Sequence, residues 1–254
     1  MLSENDFITP DWPAPANVKA LQTTRAGGMS LAPYDSLNLG MHVKDNPLHI
    51  AQNRQMLGQF LPSEPVWLKQ VHGIKVVDAA NTHCEPEADA SFTTRSNVVC
   101  VTMTADCLPV LLCDQAGTRV AAVHAGWRSL CDGVIEATFL QLQANQLTLN
   151  AKDYISSRNY MAWLGPAIGP QAFEVGGEVR AQFIAQDAQA ESAFKAHGDK
   201  YLGDLYQIAT QRLNKLGITQ IYGGGLCTFG DKARFFSFRR DGDTGRMGTF
   251  IWLE

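Results

Sequence analysis

Three short runs of apolar, largely β-branched residues constrain this chain more than anything else in it. They are Val98-Val99-Cys100-Val101, Val110-Leu111-Leu112 and Val120-Ala121-Ala122-Val123. Runs this short, with turn residues between them, read as buried strands. With 254 residues, 45% of them hydrophobic, there is enough chain for a large core, in one domain or a closely packed pair.

The ends of these strands carry the residues with chemistry. Cys107 sits where the first run gives way to the second, and Pro109 bars a regular continuation. His124 closes the third run, just before Gly126 and a predicted helix. Upstream, Val66-Trp67-Leu68-Lys69-Gln70-Val71 is another alternating run that stops on histidine, His72, with Gly73 as the turn after it. One Cys and two His at three strand ends could form a catalytic zinc site, with three protein ligands and an open position for water. Each residue also has an ordinary reading: a Cys on a strand is commonly an inert buried hydrophobe, and a single His a hydrogen-bonded structural group. Separations of 35 and 17 positions match no short zinc motif, so spacing leaves both readings open.

Several function classes are disfavoured by composition. A net charge of −4 gives no basic footprint for nucleic acid. No apolar run approaches the ~20 residues of a membrane helix, and the polar, acidic N-terminus is unlike a signal peptide. Six cysteines without a CxxC pair fit reduced thiols, so a cytoplasmic protein is expected. His83-Cys84-Glu85 matches one half of the nucleobase deaminase signature, but its P-C-x-x-C half occurs nowhere in the chain. His83 therefore reads as a loop histidine.

The remaining pattern supplies the frame. Residues 1–16, rich in proline, are expected to run extended over the surface. Val18 to Thr24 reads as a strand delivering Arg25 to the Gly27-Gly28 turn. A helix starts at Asn46-Pro47, with Asn as N-cap and Pro at the first position, burying Ile50, Leu57 and Leu61. Residues 65–79 predict two strands hinged at Gly73, and 80–90 a loop. Leu130 to Leu142 predicts a helix with Val134, Ala137, Phe139 and Leu140 on one face, entered near His124, so that amide N–H groups point toward Cys107. Residues 143–159 read as an exposed polar segment. Met161 to Leu164 is a strand feeding the stiff Gly165–Pro170 loop, followed by Glu174, a surface or substrate-contacting carboxylate. Helices are expected over Glu178–Gln186 and Tyr201–Leu216, the latter burying Leu205, Ile208, Leu213 and Leu216. Strands are expected over Ile218–Tyr222, Phe235–Phe238 and Thr249–Leu253. Strands in clusters, with helices between and after, indicate α+β rather than alternating βαβ units.

Several segments resemble, in order, the motifs of the YfiH/laccase-domain family, also called DUF152 or multicopper polyphenol oxidase-like. They are Thr23–Ser30, Tyr34–Gly40, Gln70–Gly73, Thr104–Pro109, His124–Arg128, Trp163–Pro170, Phe173–Gly176 and Phe236–Asp241. The resemblance spans nearly the whole chain. It implies one domain over residues 1–254, with mixed β-sheets flanked by helices, similar to the fold of cytotoxic necrotising factor deamidases. It also implies that His72, Cys107 and His124 bind a metal, taken here as zinc, with copper as the alternative ion.

The activity the family implies is purine nucleoside chemistry: phosphorolysis of adenosine, inosine and methylthioadenosine, and hydrolytic deamination of adenosine. Its partners are then a purine nucleoside and phosphate. Zinc suits deamination because it draws the pKa of coordinated water toward about 7. Phosphorolysis needs a cationic anchor and charge stabilisation at the ribosyl carbon. Arg25, Asn38, Arg128 and Arg239 are the candidate substrate contacts; guanidinium groups suit phosphate. Asp106, next to Cys107, is a candidate to orient a histidine or relay a proton, and Cys107 and His124 complete the catalytic set. A different enzyme class uses Cys107 as nucleophile and His124 or His72 as base. It would be an amidohydrolase editing a peptidoglycan precursor, UDP-muramoyl-serine. The laccase name fails on stoichiometry: the chain has six histidines and no H-x-H pair, too few imidazoles for a blue-copper centre plus a trinuclear cluster. Only a single copper in the His/Cys/His site could support polyphenol oxidation. A non-enzymatic metal-stabilised binding domain would need a fourth protein ligand, and none is evident.

Overall fold

The computed structural model describes residues 2–82, 84–144 and 159–254; His83 and most of the 143–159 segment lie outside them. The early strands are β1 (Phe7–Ile8), β2 (Val18–Thr23), β3 (Val76–Asp78), β4 (Ala90–Thr93), β5 (Cys100–Thr104), β6 (Leu108–Asp114) and β7 (Val120–Ala125). The later ones are β8 (Tyr160–Leu164), β9 (Glu174–Val175), β10 (Phe194–His197), β11 (Lys200–Gly203), β12 (Gln220–Gly223) and β13 (Met247–Leu253). The helices are α1 (Pro47–Leu57), α2 (Trp127–Asp132), α3 (Val134–Ala144), α4 (Gly177–Gln186), α5 (Leu205–Lys215) and α6 (Phe238–Asp241).

A six-stranded mixed sheet, in the order β12-β8-β6-β7-β4-β3, forms the centre. Its two outer pairs are parallel and its inner pairs antiparallel. One face packs on the antiparallel sheet β1-β2-β13-β5, through Leu111, Cys113, Val120, Ala122, Trp163 and Ile251. The other face, with Val110, Leu112, Ala121 and Val123, meets α2–α5 through Leu130, Phe139, Phe183 and Leu213. Neighbouring residues of β6 thus enter opposite cores, as the two-residue period of a strand requires. Both faces are dry, which is why β6 and β7 read as unbroken apolar runs. The outer face of the smaller sheet is covered by Leu37, Leu39, Leu57 and Trp67 packed on Val101, Phe250 and Trp252. The architecture is α+β, as expected.

Local signals set several boundaries. Asn46 caps α1, its side chain accepting from Leu48 N–H, with Pro47 at the first position. Ile50 and Leu57 are buried as expected, Leu61 only in part, and Asn53 joins them at zero exposure. Asn53 Nδ2 donates to Ser30 Oγ, Ser36 O and Asn38 O while Oδ1 accepts from Met29 N–H, so the helix pins the 29–38 loop.

Other expectations need correction. Residues 65–75 make isolated bridges, Val66 to Cys100 and Lys69 to Glu87, and only Val76–Asp78 is a strand. Pro109 lies inside β6 rather than stopping it. The tight turn falls instead at Asp106, where φ is 94°. The predicted 130–142 helix begins earlier and is interrupted at Gly133. Its buried face runs through Val134, Ile135, Thr138, Phe139 and Leu142, leaving Leu140 61% exposed. Tyr201 belongs to strand β11, which hairpins with β10, and Asp204 caps α5, accepting from Gln207 N–H. Phe235 and Phe236 are buried beside Ala105 and Met247 without being a strand, and Ser237 instead caps the turn of α6. The N-terminal stretch contributes β1 to the smaller sheet.

Candidate active site

Three elements deliver the sulfur and imidazoles to one point. Cys107 leaves the β5–β6 turn, His124 is the penultimate residue of β7, paired in register with Pro109, and His72 occupies a left-handed turn with φ 61°. Their ligand atoms all lie within 4.8 Å of one another, and Cys107 Sγ is 3.6 Å from His72 Nε2. Zinc–sulfur and zinc–nitrogen bonds meeting at a tetrahedral angle place those two atoms about 3.6 Å apart, so this pair already has the separation a shared ion requires. The donor set, two imidazoles and a thiolate, suits zinc and also copper.

The residue organising this triangle is Asp89, which sequence reasoning missed. Its carboxylate is fully buried. Oδ1 accepts from His124 Nδ1–H at 2.8 Å and from His72 N–H at 2.9 Å; Oδ2 accepts from Gly73 N–H at 2.7 Å and Val71 N–H at 3.2 Å. One carboxylate therefore orients the His124 ring so that its other nitrogen, Nε2, faces Cys107, and holds the strained turn that presents His72. Carboxylate–histidine pairs of this kind fix tautomer and ring plane at metal sites. Burial pushes the Asp89 carboxyl up, but the hydrogen bond and charge of His124 and the backbone N–H groups bring it below its ordinary value. A signal was present: an acid flanked by alanines, Ala88-Asp89-Ala90, entering an apolar strand.

The thiol and imidazole at the metal position shift each other toward their charged forms. Burial raises the Cys107 thiol, yet the charge and hydrogen bond of His124, and then of His72, lower it to about 6. Burial lowers the His124 imidazole, but the Cys107 thiolate and Asp89 raise it to about 9. Gly126 is required by space: a β-carbon there would lie 2.5 Å from His72 Cδ2 and 3.2 Å from Cys107 Sγ.

This triangle lines a cleft of about 460 Å³, a volume suited to a small molecule. Arg128 and Arg239, two of the candidate substrate contacts, line it. Arg128 stacks on Trp127, 4.4 Å from the ring centroid, and Arg239 Nη1 donates to Glu174 O. Trp127, Phe173 and Phe238 make its aromatic wall, and His42 and Arg246, which sequence reasoning missed, also face it. Burial, reinforced by Arg246, lowers His42 to about 4, so its imidazole is neutral at physiological pH.

The other expected residues stand elsewhere. Asp106 lines the cleft but touches neither histidine: Oδ1 accepts from Thr228 Oγ1 and Oδ2 from Arg239 N–H, both at 2.6 Å. It braces the cleft wall, and the orienting role expected of it falls to Asp89. Arg25 does not line the cleft. Its Nε donates to Asp35 O, its Nη2 is 3.3 Å from Asp35 Oδ2, and its guanidinium lies over Phe236. Asn38 is fully buried, donating to Asp45 Oδ2 and accepting from Gly40 and Arg246 N–H, so it positions backbone rather than substrate. Glu174 pairs with Lys200 at the surface. Cys100, Cys113 and Cys131 are buried free thiols. Among the described residues the triangle is the one cluster able to hold a metal, and no fourth protein ligand joins it. No helix among them is long and apolar enough to cross a membrane.

Known proteins match this frame along its length. The family model described as multi-copper polyphenol oxidoreductase laccase matches residues 19–254. Purine nucleoside phosphorylase YfiH of Escherichia coli K12 is 54% identical over 250 residues, covering 97% of this chain and 98% of that protein. A purine nucleoside phosphorylase of Pseudomonas aeruginosa is 50% identical over 252 residues, covering 98% and 99%. The crystal structure of a Neisseria meningitidis DUF152 protein superposes with a TM-score of 0.91 at 47% identity, covering 98% and 99%. With both sequence and fold matched end to end, the chain belongs to the YfiH family.

Proposed function

We propose that this protein is a metal-dependent purine nucleoside phosphorylase that also deaminates adenosine. The observation carrying this reading is the convergence of His72, Cys107 and His124 on one wall of a cleft whose other walls are aromatic and cationic. The relatives named as purine nucleoside phosphorylases support it. In phosphorolysis a phosphate oxygen bonds to C1′ of the ribose as the glycosidic bond breaks. The purine departs with the electron pair and is protonated. Trp127, Phe173 and Phe238 offer ring faces to the base. Guanidinium groups in the cleft attract phosphate, and the cleft gives it a site where screening is weaker than in bulk water. Asp89 keeps the imidazole edge of His124 aimed at the metal position. When bound through His72, Cys107 and His124, zinc supplies Lewis-acid activation, including of the water that deamination requires. The test is metal analysis combined with product identification from adenosine plus phosphate. Adenine with ribose 1-phosphate is expected from phosphorolysis and inosine from deamination, at about one zinc per chain. Full turnover by metal-free protein would sink the reading.

One observation favours a second reading. Cys107 at about 6, paired with His124 and backed by Asp89, has the connectivity of a Cys–His–Asp hydrolase. A thiolate committed to a metal is a poor nucleophile, so the two readings compete for one sulfur. Serine released from UDP-muramoyl-serine by metal-free protein, and lost on zinc addition, would decide for the hydrolase.

A further inference from the structure

The three arginines of the cleft are held differently. Arg128 and Arg239 are exposed at its rim. Arg246 is half-buried and lines the cleft together with Cys107 and Asp106. Its Nη1 donates to Thr244 O and Gly245 O. Elsewhere, half-buried arginines are matched by acids, Arg25 by Asp35, Arg54 by Glu85, Arg212 by Glu136 and Arg240 by Asp241, while Arg119, buried away from the cleft, donates to Leu142 O instead. Among the described residues no carboxylate comes within ion-pair reach of Arg246. A desolvated guanidinium without a counter-ion is costly unless an anion completes it.

Its placement is built rather than incidental. Asn53 of α1 holds Asn38 O, and Asn38 Oδ1 accepts from Arg246 N–H, so the root of the arginine is tied to a buried polar network. His42 is brought beside it over Gly40, where a β-carbon would lie 2.8 Å from Arg246 Cγ and 3.3 Å from His42 Cε1. The His42 imidazole and the stem of Arg246 thereby meet over Gly40, and both side chains line the cleft that holds the metal triangle.

We propose that this corner, Arg246 with His42, binds the phosphate co-substrate, the guanidinium facing the oxyanion and the imidazole donating an N–H to it. The assignment rests on the phosphorylase reading, and it moves the anion from Arg25, whose guanidinium is already met by Asp35 and by Lys232 O. A phosphate held at Arg246 shares one cleft with the metal triangle, whereas one held at Arg25 lies outside that cleft.

The test titrates inorganic phosphate into zinc-loaded, full-length protein, followed by phosphorus NMR. Arg246→Gln should weaken binding by about tenfold or more, since a charge-assisted contact is removed. Arg246→Lys should fall between, because one ammonium replaces a two-pronged donor. His42→Asn should weaken binding less, and Arg25→Gln should leave it unchanged. Zinc content equal to wild type shows that the site is intact. In turnover, Arg246→Gln should raise KM for phosphate while KM for the nucleoside stays within about twofold. Unchanged phosphate affinity in Arg246→Gln and Arg246→Lys, its loss instead in Arg128→Gln or Arg239→Gln, or no binding by wild type, each overturns the proposal. Phosphate bound at Arg246 with no base released from any purine nucleoside keeps this site and sinks the phosphorylase reading instead.

Discussion

Cys100 and Cys107 stand at opposite ends of one short stretch of chain and have opposite chemistry. Cys100 opens β5 with its side chain between the two sheets, at zero exposure, where burial pushes the thiol up to about 12. Cys107 lies just past the end of β5, and there the charges of two imidazoles outweigh the same desolvation and bring the thiol down to about 6. The residue type is identical and one strand separates them. What differs is whether partners converge on the sulfur, and those partners come from β7, from the 71–73 turn and, through Asp89, from the start of β4.

The largest expected effect breaks the pair directly. Cys107→Ser should lose bound zinc and nucleoside turnover together, whereas Cys100→Ser should keep zinc at the wild-type level; metal analysis of both proteins checks it. Zinc retained by Cys107→Ser would remove the thiolate from the ligand set. Next comes the carboxylate that makes the two cysteines differ. Asp89→Asn keeps size but not charge, and partners behind a metal ligand are worth about 10–100-fold in affinity. A drop of that order in zinc affinity, measured by competition with a chelator, is expected. An unchanged affinity would mean that His124 and the His72 turn hold their geometry without it.

A third test reads the thiols with the metal stripped. Alkylation proceeds through the thiolate, so the Cys107 rate should climb with pH through a midpoint near 6 and flatten above it. An ordinary thiol would still be accelerating toward about 8.5. His124→Asn removes the largest favourable partner, so the midpoint should move up. Cys100 should stay unlabelled in the folded protein. A Cys107 midpoint near the ordinary thiol value would contradict the mutual shift of the two groups.

The same contrast explains what could be read from residues alone. Strands β5–β7 were legible because both of their faces are buried, so local composition carries the signal. α1 was legible because Asn46 and Pro47 mark its start. Cys107, His124 and His72 could be named as candidates because each ends an apolar run. Their convergence could not be derived, since it depends on the pairing of β6 with β7 and on a turn whose shape is set by Asp89. Arg25 misled because an arginine beside glycines resembles an anion site; that Asp35 would meet it depends on how the loop folds back. Arg246 and His42 were missed for the complementary reason: nothing adjacent in sequence marks them, and their corner exists only once Asn38 and Asn53 meet. Phe235 and Phe236 show the same limit in the core. They are apolar because they pack on Met247, and not because they pair in a sheet.

The smallest effect tests the quiet half of the pair. Cys100→Ala deletes one sulfur from a dry interface that includes Leu111, Val120 and Ile251. Removing a group of roughly methylene size from such a core should cost about 1 kcal/mol, from transfer and the residual void. Urea denaturation should therefore show a lower midpoint with an unchanged slope, since the surface exposed on unfolding is nearly the same. Zinc content and the Cys107 alkylation profile should not move, because the Cys100 sulfur faces Ser91 and the apolar residues between the sheets rather than the cleft. If the small cavity did loosen the metal, the sheet interface would be transmitting strain along β5 to the turn at Asp106. The two cysteines would then be coupled through the backbone they share, and burial alone would no longer account for their difference.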